Sequence, residues 1–87
     1  MSVNRKPSAA MCQLLADNLT RLRKARVLTQ AQLAAAGGLT RNYISNIEQA
    51  TVNISLANLE ALAIGLRCSP ADLLNRPTRV STGPRVR

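Results

Sequence analysis

The chain has 87 residues, enough for one small domain with a single modest core and too few for a second, ligand-sensing domain. Its apolar residues are almost all Leu, Ala, Ile and Val, with Tyr43 the lone aromatic, which favours packed helices over a sheet. A net charge of +8, from twelve Lys and Arg against four acids, suits a polyanionic partner, while the absence of His excludes the commonest zinc sites and general bases.

Residues 1–10 open with "MSVNRKPS", polar and broken by Pro7, which reads as a flexible arm with Ser8 as a helix N-cap. Leu15, Leu19 and Leu22, with Met11 and Cys12 before them, then recur at three- and four-residue intervals. Asp17, Arg21 and Lys24 face elsewhere, as on an amphipathic first helix ending near Val27. Thr29 is placed to cap a short second helix, "QAQLAAA", that stops at Gly37 and Gly38. Thr40 opens a third helix running through Gln49. Ser55 caps a fourth, whose Leu56, Leu59, Leu62 and Leu66 or Ala63 keep the helical interval. Ser69 and Pro70 start a short fifth, with Asp72 in its first turn.

The expected fold is a compact, all-α, five-helix domain over residues 11–75, followed by a disordered basic tail at 76–87. Between Met11 and Asn75 six basic residues face four acids, so most of the excess charge lies on the two tails.

The third helix carries the functional signal. With about 100° per residue and Ile44 and Ile47 facing the core, Asn42, Asn46 and Gln49 point away, flanked by Arg41 and Ser45. Glu and Lys are the better choices for a merely solvated helix face. Asn and Gln can pair bidentately with adenine in the major groove, as Arg can with guanine. A short helix, a turn with two glycines and a second helix bearing such side chains is a helix-turn-helix pattern.

"LTQAQLAAAGGLTRNYISNIEQ" resembles the helix-turn-helix of the Cro and phage-repressor (XRE) family, and the resemblance extends from about Leu15 to Leu74. It implies a lambda-repressor-like domain that binds double-stranded DNA. By the same resemblance Arg41, Asn42, Ser45 and Asn46 take base-reading positions. Gln30, Thr40, Tyr43 and Asn53 take phosphate-contacting ones, Gln30 also propping a recognition-helix side chain. It pairs Arg23 with Glu48 in a structural ion pair between the first and third helices. Where the family often has glycine after a helix, this chain has Val27, Ala50 and Arg67, so either those helices end differently or their ends are strained. "NISL", Asn53 to Leu56, is similar to a short stretch in controller proteins of restriction-modification systems.

The leading expectation is a transcriptional regulator, a repressor or autoregulator, that binds a palindromic operator as a homodimer. Leu66, Leu73 and Leu74 are candidates for the dimer surface by position. A controller protein is one alternative. An antitoxin-type module that grips both DNA and a partner protein is another. A membrane-surface role is disfavoured by the lack of Trp and Phe, and single-stranded RNA binding by the lack of stacking aromatics. No enzyme, cofactor or metal is expected: there is no His, few carboxylates and no activated nucleophile, and Cys12 and Cys68 stand alone. Residues 1–11 lack the apolar core of a signal peptide, and no segment approaches the roughly 20 apolar residues that span a bilayer. The expectation is a soluble, cytoplasmic protein.

Overall fold

Each helix begins where a Ser or Thr hydroxyl accepts a free backbone N–H. Ser8 takes Met11 N at 3.2 Å, Thr29 takes Gln32 N at 3.0 Å, Thr40 takes Tyr43 N and Ser55 takes Asn58 N, both at 3.1 Å. At the second helix Gln32 reaches back to Thr29 N at 2.8 Å, completing a capping box. These caps open α1 (Ala9–Ala25), α2 (Gln30–Gly37), α3 (Arg41–Glu48) and α4 (Leu56–Leu66) in a computed structural model that describes residues 6–76. The fifth element is a 3-10 turn, Pro70–Leu73, because four residues closed by Ser69 and Asp72 are too few to propagate an α-helix. Apart from Lys6 to Ala10 and Arg76, the arm and tail lie outside the described residues.

All four helices end in the same way. The N–H of Leu28, Leu39, Thr51 and Cys68 returns to the carbonyl of Arg23, Ala34, Asn46 and Ala63, respectively, five residues earlier. That closure needs a left-handed residue just before it. Only at Gly38 is this residue glycine, with φ 73°. Val27, Ala50 and Arg67 adopt φ of 55°, 60° and 58°, so the strained ending is the one present.

The core gathers Leu15 and Leu19 of α1, Leu33 of α2, Ile44 and Ile47 of α3 and Leu59, Leu62 and Leu66 of α4, closed by Leu73. Burial of each contributes about 1.5–3 kcal/mol. Leu22, Leu39 and Tyr43 pack against this cluster half-buried. At the α2–α4 crossing the helices meet backbone to backbone. A Cβ on Gly37 would lie 2.7 Å from the Ala61 carbonyl oxygen, and one on Gly65 would lie 2.9 Å from Leu33 Cδ1 and 3.2 Å from Gly37 N. Glycine is required at both by close approach, not by backbone angle.

Asn18 is the one fully buried polar side chain among the described residues. Its amide nitrogen donates to the carbonyls of Leu73 and Asn75, both at 2.8 Å, and its oxygen accepts from Arg21 at 3.0 Å. With its polar atoms satisfied, it latches the 3-10 turn to α1. This arrangement corrects the expectation for the dimer surface. Leu66 and Leu73 are fully buried in the chain's own core and have no area left to offer a second copy. Leu74 remains 39% exposed.

Candidate nucleic-acid interface

α3 has only two buried residues, Ile44 and Ile47, and these seat it on the core. The opposite side carries Arg41, Asn42 and Asn46, all exposed, and none of their side chains makes a hydrogen bond or ion pair with another described residue. Ser45 differs: it is half-buried, and its hydroxyl accepts from Gln49 Nε2 at 3.3 Å. Thr40 combines exposure with its capping bond, and Asn53 is exposed on the loop that leaves α3.

Three further attachments hold the helix. At its C-terminus Glu48 receives Arg23 Nε at 2.6 Å and Arg23 Nη2 at 3.1 Å, while Arg23 Nη1 donates to the Leu28 carbonyl at 2.8 Å. Gln30 joins them, its amide nitrogen 3.1 Å from Glu48 Oε1, so the recognition-helix side chain it props is Glu48. In the middle, the half-buried Tyr43 hydroxyl accepts a 2.8 Å hydrogen bond from Asn58 Nδ2 of α4. Beyond the end, the Asn46 carbonyl accepts both the N–H and the hydroxyl of Thr51, at 3.1 and 3.0 Å.

Burial pushes the Glu48 carboxyl up. The hydrogen bonds from Arg23, Gln30 and Thr20 and the charge of Arg23 outweigh it, leaving the group below its ordinary value and ionised. Arg23 is raised by its hydrogen bonds to Glu48 more than burial lowers it. Glu48 is the only acid on α3, so turning it inward against a guanidinium leaves Arg41 as the one charge on the outward face. An amide-rich surface with one exposed cation tolerates phosphate nearby and offers donors and acceptors to base edges.

Several contributors hold roles that the sequence reading did not assign to them. Asn58 and Thr51 lie outside the helix-turn-helix stretch, and nothing in their spacing marks them. Arg26 donates to the Leu66 carbonyl, where it serves as a cap on the last turn of α4. Asn18 did carry a signal, lying three residues after Leu15 and four before Leu22, on the core-facing side of α1. Away from α3, exposed Met11, Leu56 and Leu74 rim a surface cavity of about 190 Å³ whose walls include Leu15, Val52 and Ile54. Among the described residues no group of His, Cys, Asp and Glu is placed to hold a metal ion, and no helix is long and apolar enough to cross a membrane.

A family model described as Helix-turn-helix matches residues 19–73. Control protein C.SmaI of Serratia marcescens is 37% identical over 75 residues, covering 80% of this chain and 89% of that protein. The immunity repressor protein of Bacillus phage phi105 is 39% identical over 59 residues, 68% of this chain and 41% of the repressor. Among solved structures, the restriction-modification controller protein C.AhdI of Aeromonas hydrophila superposes with a TM-score of 0.71 at 36% identity, covering 74% of this chain and 97% of its own.

Proposed function

The chain belongs to the helix-turn-helix family of the phage-repressor (XRE) type, and from that premise we propose that it is a sequence-specific DNA-binding transcriptional regulator acting in the cytoplasm. In this reading α3 enters the major groove. Arg41, Asn42 and Asn46 read base edges, and Ser45 contributes once its bond to Gln49 is exchanged. Gln30, Thr40, Tyr43 and Asn53 contact the phosphates on either side. The observation that carries it is an outward face whose Arg and Asn side chains make no hydrogen bond to another described residue, on a helix held from α1, α2 and α4. Such a face is organised before its partner arrives, which lowers the ordering cost of binding.

A single α3 reads too few base pairs to be selective, so the regulator acts as a homodimer on a palindrome, with recognition helices about 34 Å apart. The dimer surface in this proposal is the exposed apolar rim at Met11, Leu56 and Leu74, in place of the buried Leu66 and Leu73. Selection of bound sequences from a random duplex pool tests the whole reading. Enrichment of a two-fold symmetric site is the expected result. Binding that is sensitive to salt but enriches nothing would show that DNA sees only charge, and would overturn it.

The similarity to C.SmaI and C.AhdI over most of each protein's length favours a narrower second reading, control of a restriction-modification operon. Occupancy of the chain on native DNA, mapped by crosslinking, should then peak at a promoter serving a nuclease or methyltransferase gene. A peak confined to other promoters excludes this narrower role and leaves the broader one standing.

A further inference from the structure

We infer that Asn58 of α4 is a positioning residue for recognition of the DNA backbone, acting through the Tyr43 hydroxyl; the inference rests on the proposed DNA-binding role. The phenol oxygen offers one proton and accepts hydrogen bonds through its lone pairs. Asn58 Nδ2, 2.8 Å away, takes up an accepting side of that oxygen and, being a donor itself, excludes the phenol proton from its direction. Among the described residues no acceptor receives the Tyr43 proton, so it is left for a group outside the chain.

The ring is half-buried against the core, which fixes where the oxygen sits. What Asn58 adds is the direction in which the O–H points. Asn58 is itself well placed to do this, because its backbone N–H is taken by Ser55 at 3.1 Å, securing the first turn of α4. Tyr43 N is likewise bound to the Thr40 hydroxyl at 3.1 Å. Two capped helix starts, α3 and α4, are therefore cross-linked through one phenol oxygen at the positive ends of both helix dipoles, where an anionic phosphate oxygen is the favoured acceptor.

The test is affinity of the full chain for the selected site and for a random-sequence duplex of equal length, at one salt concentration. It uses wild type, Asn58→Ala, Tyr43→Phe and the double variant. A phosphate contact carries no sequence information, so each single change should weaken binding to both duplexes by the same factor, about tenfold, and the double variant should be no weaker than either. A loss confined to the selected site would mean that Asn58 only sets the tilt of α3 against the bases, and overturns the inference. So does an Asn58→Ala loss that persists in full on the Tyr43→Phe background. Tyr43→Phe leaves α4 untouched and deletes only the oxygen, so unchanged binding of that variant is sufficient to reject the inference even if Asn58→Ala folds poorly. A wild-type chain that binds neither duplex removes the DNA-binding reading and this one together; the variant outcomes remove this one alone.

Discussion

Arg23 and Glu48, 25 positions apart, meet in a two-pronged hydrogen bond of 2.6 and 3.1 Å that joins α1 to the last residue of α3. With side chains only 13% and 9% exposed, neither ion is adequately hydrated without the other. Deleting one partner strands a charge, while deleting both strands none. Arg23→Ala should therefore cost about 3 kcal/mol in urea unfolding, and Arg23→Met with Glu48→Leu distinctly less. Equal losses in the single and double variants would mean that the pair stabilises by attraction alone.

The same carboxylate makes stability depend on pH. Its folded value is lowered below the ordinary carboxylate value of about 4.3, so the folded chain binds fewer protons than the unfolded chain as that value is approached from above. The contribution is complete above the unfolded value and disappears as pH falls through the folded one. Unfolding midpoints measured from pH 7 down to pH 3 should fall more steeply for wild type than for Glu48→Gln. Parallel curves would assign acid sensitivity to other carboxylates.

Val27 is the costliest of the three left-handed residues, since a β-branched side chain at φ 55° crowds the backbone while gaining nothing from burial at 87% exposure. Val27→Gly should raise stability by about 1 kcal/mol after the entropy of the added glycine is discounted. A melting temperature that falls would show that the loop after α1 relies on the valine.

Asn42 and Arg41 stand exposed at the start of α3. Asn42→Ala should relax one position in each half of the selected site, at about 1–3 kcal/mol per base pair of lost discrimination. Uniform weakening across all sequences would move Asn42 to the phosphate contacts.

Leu56 is 84% exposed, so Leu56→Glu leaves the core intact. If the Met11–Leu56–Leu74 rim joins two copies, this variant should sediment as a monomer at concentrations where wild type is dimeric, and its affinity for the palindrome should fall more than tenfold. A variant that remains dimeric places the contact elsewhere.

Much of the domain is legible in the chain because its signals are local. Ser and Thr before apolar runs locate the helix starts, and the intervals of Leu15, Leu19, Leu33, Ile44, Ile47, Leu59 and Leu62 identify the core. Gly37 and Gly38 marked the end of α2, but the other three helix ends were readable only as a conflict, since the family pattern wants glycine where Val27, Ala50 and Arg67 stand, and sequence cannot say whether the turn or the residue gives way. Contacts between distant elements carry no local signal at all. The Asn58 amide on Tyr43 and the Arg26 cap on α4 depend on how helices cross, which spacing along one helix does not encode. Leu66 and Leu73 show the converse error: position suggested a surface, and a leucine that follows the core interval is buried first.

Where Gly37 passes Ala61 and Gly65, the main chains of α2 and α4 meet directly, with the Leu33 side chain packed beside them. A side chain yields under load; a carbonyl oxygen against a Cα does not. The two helices therefore behave as one stiff bracket, with the α2–α3 turn on one arm and Leu56 at the far end of the other. In any pair assembled through that far end, the span between reading helices is set by main-chain geometry. The pair would then accept only operators whose half-site spacing matches that span, and a shift of one base pair would have to be absorbed by bending the DNA.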